Sequence, residues 1–162
     1  MSGIGPKELD IRRSALAQGG IVFDANSLPQ ATPAMLQPES WPGAVPLDGR
    51  GGRGTPWLVQ GDFGEAVLRH YRRGGLIGRL VSDRYLYSGQ ARVRSLREFE
   101  LLAQLWRQGL PVPRPLLAGW RREGVFYRAD LMTLRVPRAR TMAERLAESA
   151  PIPWAKVGRA IA

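Results

Sequence analysis

The 162-residue sequence contains no cysteine and a single histidine, His70. Disulfides, cysteine-ligated zinc and a thiol nucleophile are therefore excluded, as are a multi-histidine metal site and a two-histidine relay. Lysine is nearly as scarce, since of the 24 basic residues only Lys7 and Lys156 are not arginine. Asparagine occurs once, at Asn26. No stretch approaches the roughly 18–20 apolar residues that a membrane-spanning helix needs. The opening MSGIGPKELDIRR lacks the apolar segment of a secretory signal.

What the chain has is arginine, glycine and a globular share of apolar residues, 44% hydrophobic against 23% charged. The net charge of +10 is unevenly spread: residues 1–49 carry −2 and residues 50–162 carry +12. Arginine grips phosphate through a rigid two-pronged fork, so a phosphate-bearing partner is the natural inference. A general bias toward arginine would give the same arithmetic.

Residues 1–44 read as an irregular extension, with one short strand at Gly20-Ile21-Val22-Phe23 and a helical start at Thr32-Pro33. Pro38, Pro42 and Pro46 exclude a long regular element there. From residue 45 the pattern tightens. Val45-Pro46-Leu47 leads into Gly49-Arg50-Gly51-Gly52-Arg53-Gly54, then a strand over 57–60, a turn at 61–64 and a second strand over 66–71. A helix is predicted from Arg94 to about Gln108, with Ser95 near its start and Gly109 as its stop. Its apolar stripe is Leu96, Phe99, Leu102, Leu105 and Trp106. LPVPRPL (110–116) is extended, and two strands follow at 116–121 and 125–131 around the turn Arg122-Glu123-Gly124. Thr133 to Arg140 reads as a linker, Met142 to Glu148 as a short helix capped by Thr141, and Pro153 as the start of another helix. That last helix is still running at Ala162, so a truncated chain is expected.

Three residue sets in this order point to nucleotide binding. A glycine-rich turn between antiparallel strands lets backbone N–H groups reach phosphate oxygens. Alone, GRGGRG fits a flexible arginine-rich loop equally well. Arg69, two strands on, is placed where a cation would reach phosphates, although a lone strand arginine more often marks a solvated face. Glu98 borders the apolar stripe of the helix, where a carboxylate can hold a strand cation, although spacing alone favours a surface partner of Arg94.

Longer strings carry a specific resemblance. GRGTPWLVQ (52–60), VLRHYRRGGLIGRLVSDRYLYSG (67–89), RSLREFELLAQLWRQGLPVPRPL (94–116) and FYRADLMTLRVPRAR (126–140) resemble the 3-deoxy-D-manno-octulosonic acid (Kdo) kinase family. This is a branch of the lipopolysaccharide kinases with a protein-kinase-like fold, and SLPQATPAMLQPESW (27–41) is similar to it as well. The resemblance implies an α+β fold: a kinase-like N-terminal lobe over 45–136, with an antiparallel sheet of about five strands and an αC-type helix. A hinge and the first helices of an incomplete C-terminal lobe (137–162) would follow. It implies that Gly49, Arg50, Gly51, Gly52, Arg53 and Gly54 form the nucleotide-covering loop. Arg69 would stand where protein kinases carry their strand lysine, Glu98 would be its helix partner, and Met132, Thr133 and Leu134 would open the hinge that meets adenine.

By the same resemblance the cofactors are ATP and Mg2+, and the acceptor is a Kdo–lipid A type glycolipid. The setting is an anionic membrane surface at the cytoplasmic face of the inner membrane, with the protein held peripherally. The catalytic loop of this fold follows the pattern H-x-D-x-x-x-x-N. Neither His70 nor Asn26 belongs to such a pattern. No catalytic residue is therefore expected within the chain, the catalytic and metal-binding residues are expected beyond Ala162 with the missing C-terminal lobe, and residues 1–162 alone are expected to be inactive. Two other readings stay open: a basic nucleic-acid-binding module, though no nucleic-acid motif appears and no specific nucleic acid is expected, and a non-catalytic regulatory lobe.

Overall fold

A computed structural model describes residues 8–47, 55–71, 84–137 and 139. The expected helices after Thr141 and Pro153, and the segment 72–83, lie outside the described residues. Among the described residues eight strands form one sheet: β1 (Ile11–Leu16), β2 (Gly19–Asp24), β3 (Val45–Pro46), β4 (Trp57–Gly61), β5 (Gly64–His70), β6 (Tyr85–Leu86), β7 (Pro115–Glu123) and β8 (Phe126–Leu134). The order across the sheet is β1-β2-β7-β8-β5-β4-β3, with β6 beside the outer end of β8, and every pairing is antiparallel. The helix, α1, spans Arg94–Arg107.

The sheet is buried on both faces, which is why β7 is buried without interruption from Pro115 to Trp120. On one face α1 lays Phe99 and Ala103 against Val22, Ala118 and Leu131. On the other, Leu28 and Leu36 cover Ile21, Phe23, Val59, Ala66, Leu68, Leu117 and Met132, with Met35 and Trp41 packed at the margin. Two short 3-10 turns at Pro33–Leu36 and Pro38–Ser40 shape this covering segment. Trp41 fixes it by donating its indole N–H to the Met35 carbonyl at 2.8 Å and meeting Phe63 edge-on at 5.5 Å.

One expectation needs correction here. Residues 11–24 form a hairpin that joins the sheet through β2 and β7, where an irregular extension with one short strand was expected. β1 is an edge strand with five of its six residues exposed, so IRRSAL shows no inward apolar alternation for a sequence reading to detect. With this hairpin the sheet has eight strands among the described residues, six of them (β3 to β8) within residues 45–136, where about five were expected. Gly19 is needed for the β2–β7 approach: a Cβ there would stand 2.1 Å from the Trp120 carbonyl oxygen.

Ser95 lies in the first turn of the helix, near its start as expected; the residue before the helix is Val93, and the Arg94 N–H is met by the Tyr127 hydroxyl at 3.3 Å. Ser95 is fully buried and donates its hydroxyl to the Gly119 carbonyl at 2.8 Å, pinning the first turn to β7. Small residues at 95 and 103 bring the helix close to the sheet, with Phe99 between them. The stop is as expected: Gly109 takes φ 80°, with Gly109 N–H on the Trp106 carbonyl and Leu110 N–H on the Leu105 carbonyl.

An ionic knot ties the chain start to the LPVPRPL stretch. Asp24 is fully buried and accepts hydrogen bonds from the backbone of Asp10 and Asn26 and from the Ser27 hydroxyl. Arg114 completes it with two contacts to one oxygen, at 2.6 and 2.9 Å.

Candidate active site

The α1 face of the sheet carries the cleft. Side chains alternate along β5, so Ala66, Leu68 and His70 face the covering segment, while Val67 and Arg69 face the helix side with Tyr71 just beyond the strand. β5 pairs with β8, Arg69 level with Leu131, and α1 crosses over this region. Arg69 Nη2 therefore meets Glu98 Oε1 at 2.5 Å. The expected strand cation and helix carboxylate, 29 residues apart in sequence, stand in direct contact. With side chains 43% and 36% exposed, the pair contributes no more than about 1 kcal/mol to folding, so its placement matters more than its strength.

The sequence reading did not join Tyr71 to this pair. Its hydroxyl donates to Glu98 Oε2, so the carboxylate is held from both sides, Arg69 on one oxygen and Tyr71 on the other. The Arg69 guanidinium also lies 6.0 Å from the Tyr71 ring centre. Burial raises the Tyr71 pKa well above the ordinary phenol range, and the bond to the Glu98 carboxylate adds to the shift; the nearby Arg69 and Arg94 charges oppose it. Tyr71 thus stays a neutral donor. The signal that could have found it is the two-residue period of a strand, which puts position 71 on the same face as 69.

Around this triad opens a cavity of about 890 Å3, lined by Pro56, Arg69, Tyr71, Arg94, Arg97 and Glu98 among others. Three guanidiniums and one carboxylate give it a positive balance. Such a site favours a phosphorylated ligand, and Arg69 can hold Glu98 with one edge of its planar fork while offering N–H groups to a phosphate.

The remaining predicted residues fall as follows. Gly49, Arg50, Gly51, Gly52, Arg53 and Gly54 lie outside the described residues. Their flanks are paired, Val45 with Leu58 and Pro46 with Trp57, so the glycine stretch joins two antiparallel strands. Met132, Thr133 and Leu134 belong to β8, whereas the linker was expected to begin at Thr133. They lie between β5 and β7 and pair with both: Met132 with Leu68 and Leu117, Thr133 with Val67 and Pro115. The Leu134 N–H goes to the Arg114 carbonyl and the Arg135 N–H to the Glu65 carbonyl, both at 2.9 Å. The strand persists past Thr133 because Met132 and Thr133 are buried. Among the described residues no group of three or more His, Asp or Glu side chains comes together to hold a metal ion.

Comparison with known proteins fits this geometry. Residues 44–162 match the model of the lipopolysaccharide kinase (Kdo/WaaP) family. The chain belongs to that family. It is 42% identical over 145 residues to a 3-deoxy-D-manno-octulosonic acid kinase of Stenotrophomonas maltophilia (strain K279a), covering 89% of this chain and 58% of the relative. It is 43% identical over 152 residues to one of Xanthomonas oryzae pv. oryzae (strain PXO99A), covering 93% of this chain and 61% of the relative. The chain thus spans about three-fifths of the length of the curated relatives it matches. No solved structure matches it.

Proposed function

We propose that this chain is the nucleotide-binding part of an ATP-dependent kinase that phosphorylates a hydroxyl of the Kdo sugar on a lipid A type precursor. The observation that carries the reading is the Arg69–Glu98 contact, at the mouth of a cavity rich in arginine and facing the helix. In this reading the antiparallel sheet with α1 is a kinase-like N-terminal lobe, α1 is its αC-type helix, and Gly49–Gly54 covers the nucleotide.

ATP supplies the phosphoryl group when bound. The described residues fit its phosphates: Arg69 is directed into the cleft, fixed by Glu98, and Arg94 and Arg97 add positive charge along the same wall. Glu98 keeps Arg69 extended across the face, and Tyr71 keeps Glu98 turned toward it. The described residues do not assemble a site for Mg2+, and no step is assigned to one. The acceptor glycolipid sits at the cytoplasmic face of the inner membrane, and the protein meets it as a peripheral protein; no described helix is long and apolar enough to cross a bilayer. Residues 1–162 contain no H-x-D-x-x-x-x-N pattern, so alone they bind nucleotide without transferring phosphate.

The test is equilibrium titration with a fluorescent ATP analogue. Binding competed by ATP and weakened at least tenfold by Arg69→Ala is expected. Equal affinity of Arg69→Ala and the unsubstituted protein overturns the assignment, as does phosphorylation of Kdo–lipid A by residues 1–162 alone for the claim of inactivity.

A further inference from the structure

The two acidic side chains of α1 are both engaged. Glu98 is held by Arg69 and Tyr71, and Glu100 accepts from Arg13 at 2.9 Å. Arg94 and Arg97, at the start of the same helix, form no ion pair among the described residues. Folding does not account for them. The first turn of α1 holds no acidic residue, and that end of a helix disfavours positive charge. Residues three apart on a helix are neighbours, about 5–6 Å between Cβ atoms, so the two charges also repel each other. The backbone there is already satisfied, with the Arg94 N–H on the Tyr127 hydroxyl and the Arg97 N–H on the Val93 carbonyl. What the pair offers a ligand is therefore its side chains.

Both side chains line the cleft together with Arg69 and Glu98. Arg94 is held in place by its neighbour, the guanidinium lying 5.3 Å from the Tyr85 ring centre. Arg94 precedes Glu98 by four residues, about 6 Å along the helix axis. The cationic pair thus stands about one turn from the Arg69–Glu98 contact, on the same wall of the same cavity. That offset is the scale of a single sugar ring. A nucleotide with its phosphates on Arg69 leaves Arg94 and Arg97 to a second anionic group. A sugar acid that brings a hydroxyl toward the transferred phosphoryl group carries its carboxylate at such a distance.

We propose that Arg94 and Arg97 form a carboxylate site that receives the acid group of the acceptor sugar, and so select a sugar acid over a neutral sugar. Two guanidiniums at this spacing can clamp one carboxylate, each giving N–H groups to a different oxygen. The proposal rests on the kinase reading above and names the residues that recognise its acceptor.

Ligand-observed NMR titration of residues 1–162 with Kdo, in the presence of a non-hydrolysable ATP analogue, tests it. The comparison ligand is Kdo amide, in which a neutral group replaces the carboxylate. The unsubstituted protein should bind Kdo at least about tenfold more tightly than the amide, the value of a hydrogen bond to a charged group. Arg94→Gln/Arg97→Gln should bind Kdo at least about tenfold more weakly and no longer distinguish the two ligands. Its affinity for the fluorescent ATP analogue should fall no more than about threefold, the loss of charge at longer range, against at least about tenfold for Arg69→Ala. Arg12→Gln/Arg107→Gln, an equal change of charge outside the cavity lining, should bind Kdo within about twofold of the unsubstituted protein. Unchanged thermal melts certify the variants as folded, since all four substituted side chains are exposed. Equal binding of Kdo and its amide by the unsubstituted protein, or undiminished Kdo binding by Arg94→Gln/Arg97→Gln, overturns the carboxylate site and leaves the nucleotide reading intact. A loss of ATP-analogue binding in Arg94→Gln/Arg97→Gln as large as in Arg69→Ala assigns the pair to the nucleotide and overturns the proposal. Tighter binding of inorganic phosphate than of Kdo, lost in the same variant, assigns the pair to a phosphate group and overturns it as well. Failure of the unsubstituted protein to bind the ATP analogue overturns the kinase reading and the proposal with it.

Discussion

Replacing Tyr71 by phenylalanine removes one oxygen and leaves the ring in place, so the variant isolates the hydrogen bond to Glu98. A hydrogen bond to a charged acceptor is worth about 1.5–3 kcal/mol. Glu98 is 36% exposed, so water partly replaces the lost donor and the expected cost falls to about 1–2 kcal/mol. In a chain of this size that lowers the melting temperature by about 2–8 °C. The assay is a double-mutant cycle by urea denaturation with Tyr71→Phe, Glu98→Ala and the double variant. If the phenol acts through the carboxylate, Tyr71→Phe costs less than about 0.5 kcal/mol once Glu98 is gone, giving a coupling of at least about 0.5–1.5 kcal/mol. Equal costs of Tyr71→Phe in both backgrounds would refute the claim that Tyr71 holds Glu98.

The raised Tyr71 pKa makes stability fall with alkali. Above about pH 10 the unfolded phenol releases its proton while the folded one keeps it, so stability drains away as pH rises; Tyr71→Phe should flatten that slope in urea melts taken from neutral pH upward. Asp24→Ala leaves Arg114, only 15% exposed, without its carboxylate, and should cost about 3–5 kcal/mol in denaturant unfolding. Gly119→Ala would place a Cβ 2.3 Å from Leu36 Cδ1 and 3.2 Å from Ile21 Cγ2. A loss of about 1–3 kcal/mol is expected, and Leu36→Ala should cost less in the Gly119→Ala background than alone, read from the shift in urea midpoint.

Wherever a local signal was strong, sequence and structure agree. Gly109 stops α1 because a left-handed residue is required there, and β4 and β5 stand where alternation and a tight turn placed them. The signals failed where a neighbour, not the local chain, did the selecting. The Ser95 hydroxyl is taken by the Gly119 carbonyl of β7, which no spacing within the helix reveals. β1 has no inward face of its own and exists because β2 offers it an edge. Leu28 and Leu36 read as part of an irregular lead-in, but the sheet face needs covering and these side chains cover it.

The sequence by itself determined the charge, the absence of thiol and multi-histidine chemistry, the main strands, the helix and the residue types from which a phosphate site can be built. These follow from composition and local periodicity, which every chain carries in one dimension. Only the tertiary structure decided that Arg69 and Glu98 touch and that Tyr71 shares the same carboxylate. Those contacts join residues far apart in sequence, and their geometry is set by sheet register and by the seating of α1 on β7 and β8. Register and seating are selected by burying both faces of the sheet at once, a condition the whole chain satisfies and no single segment specifies.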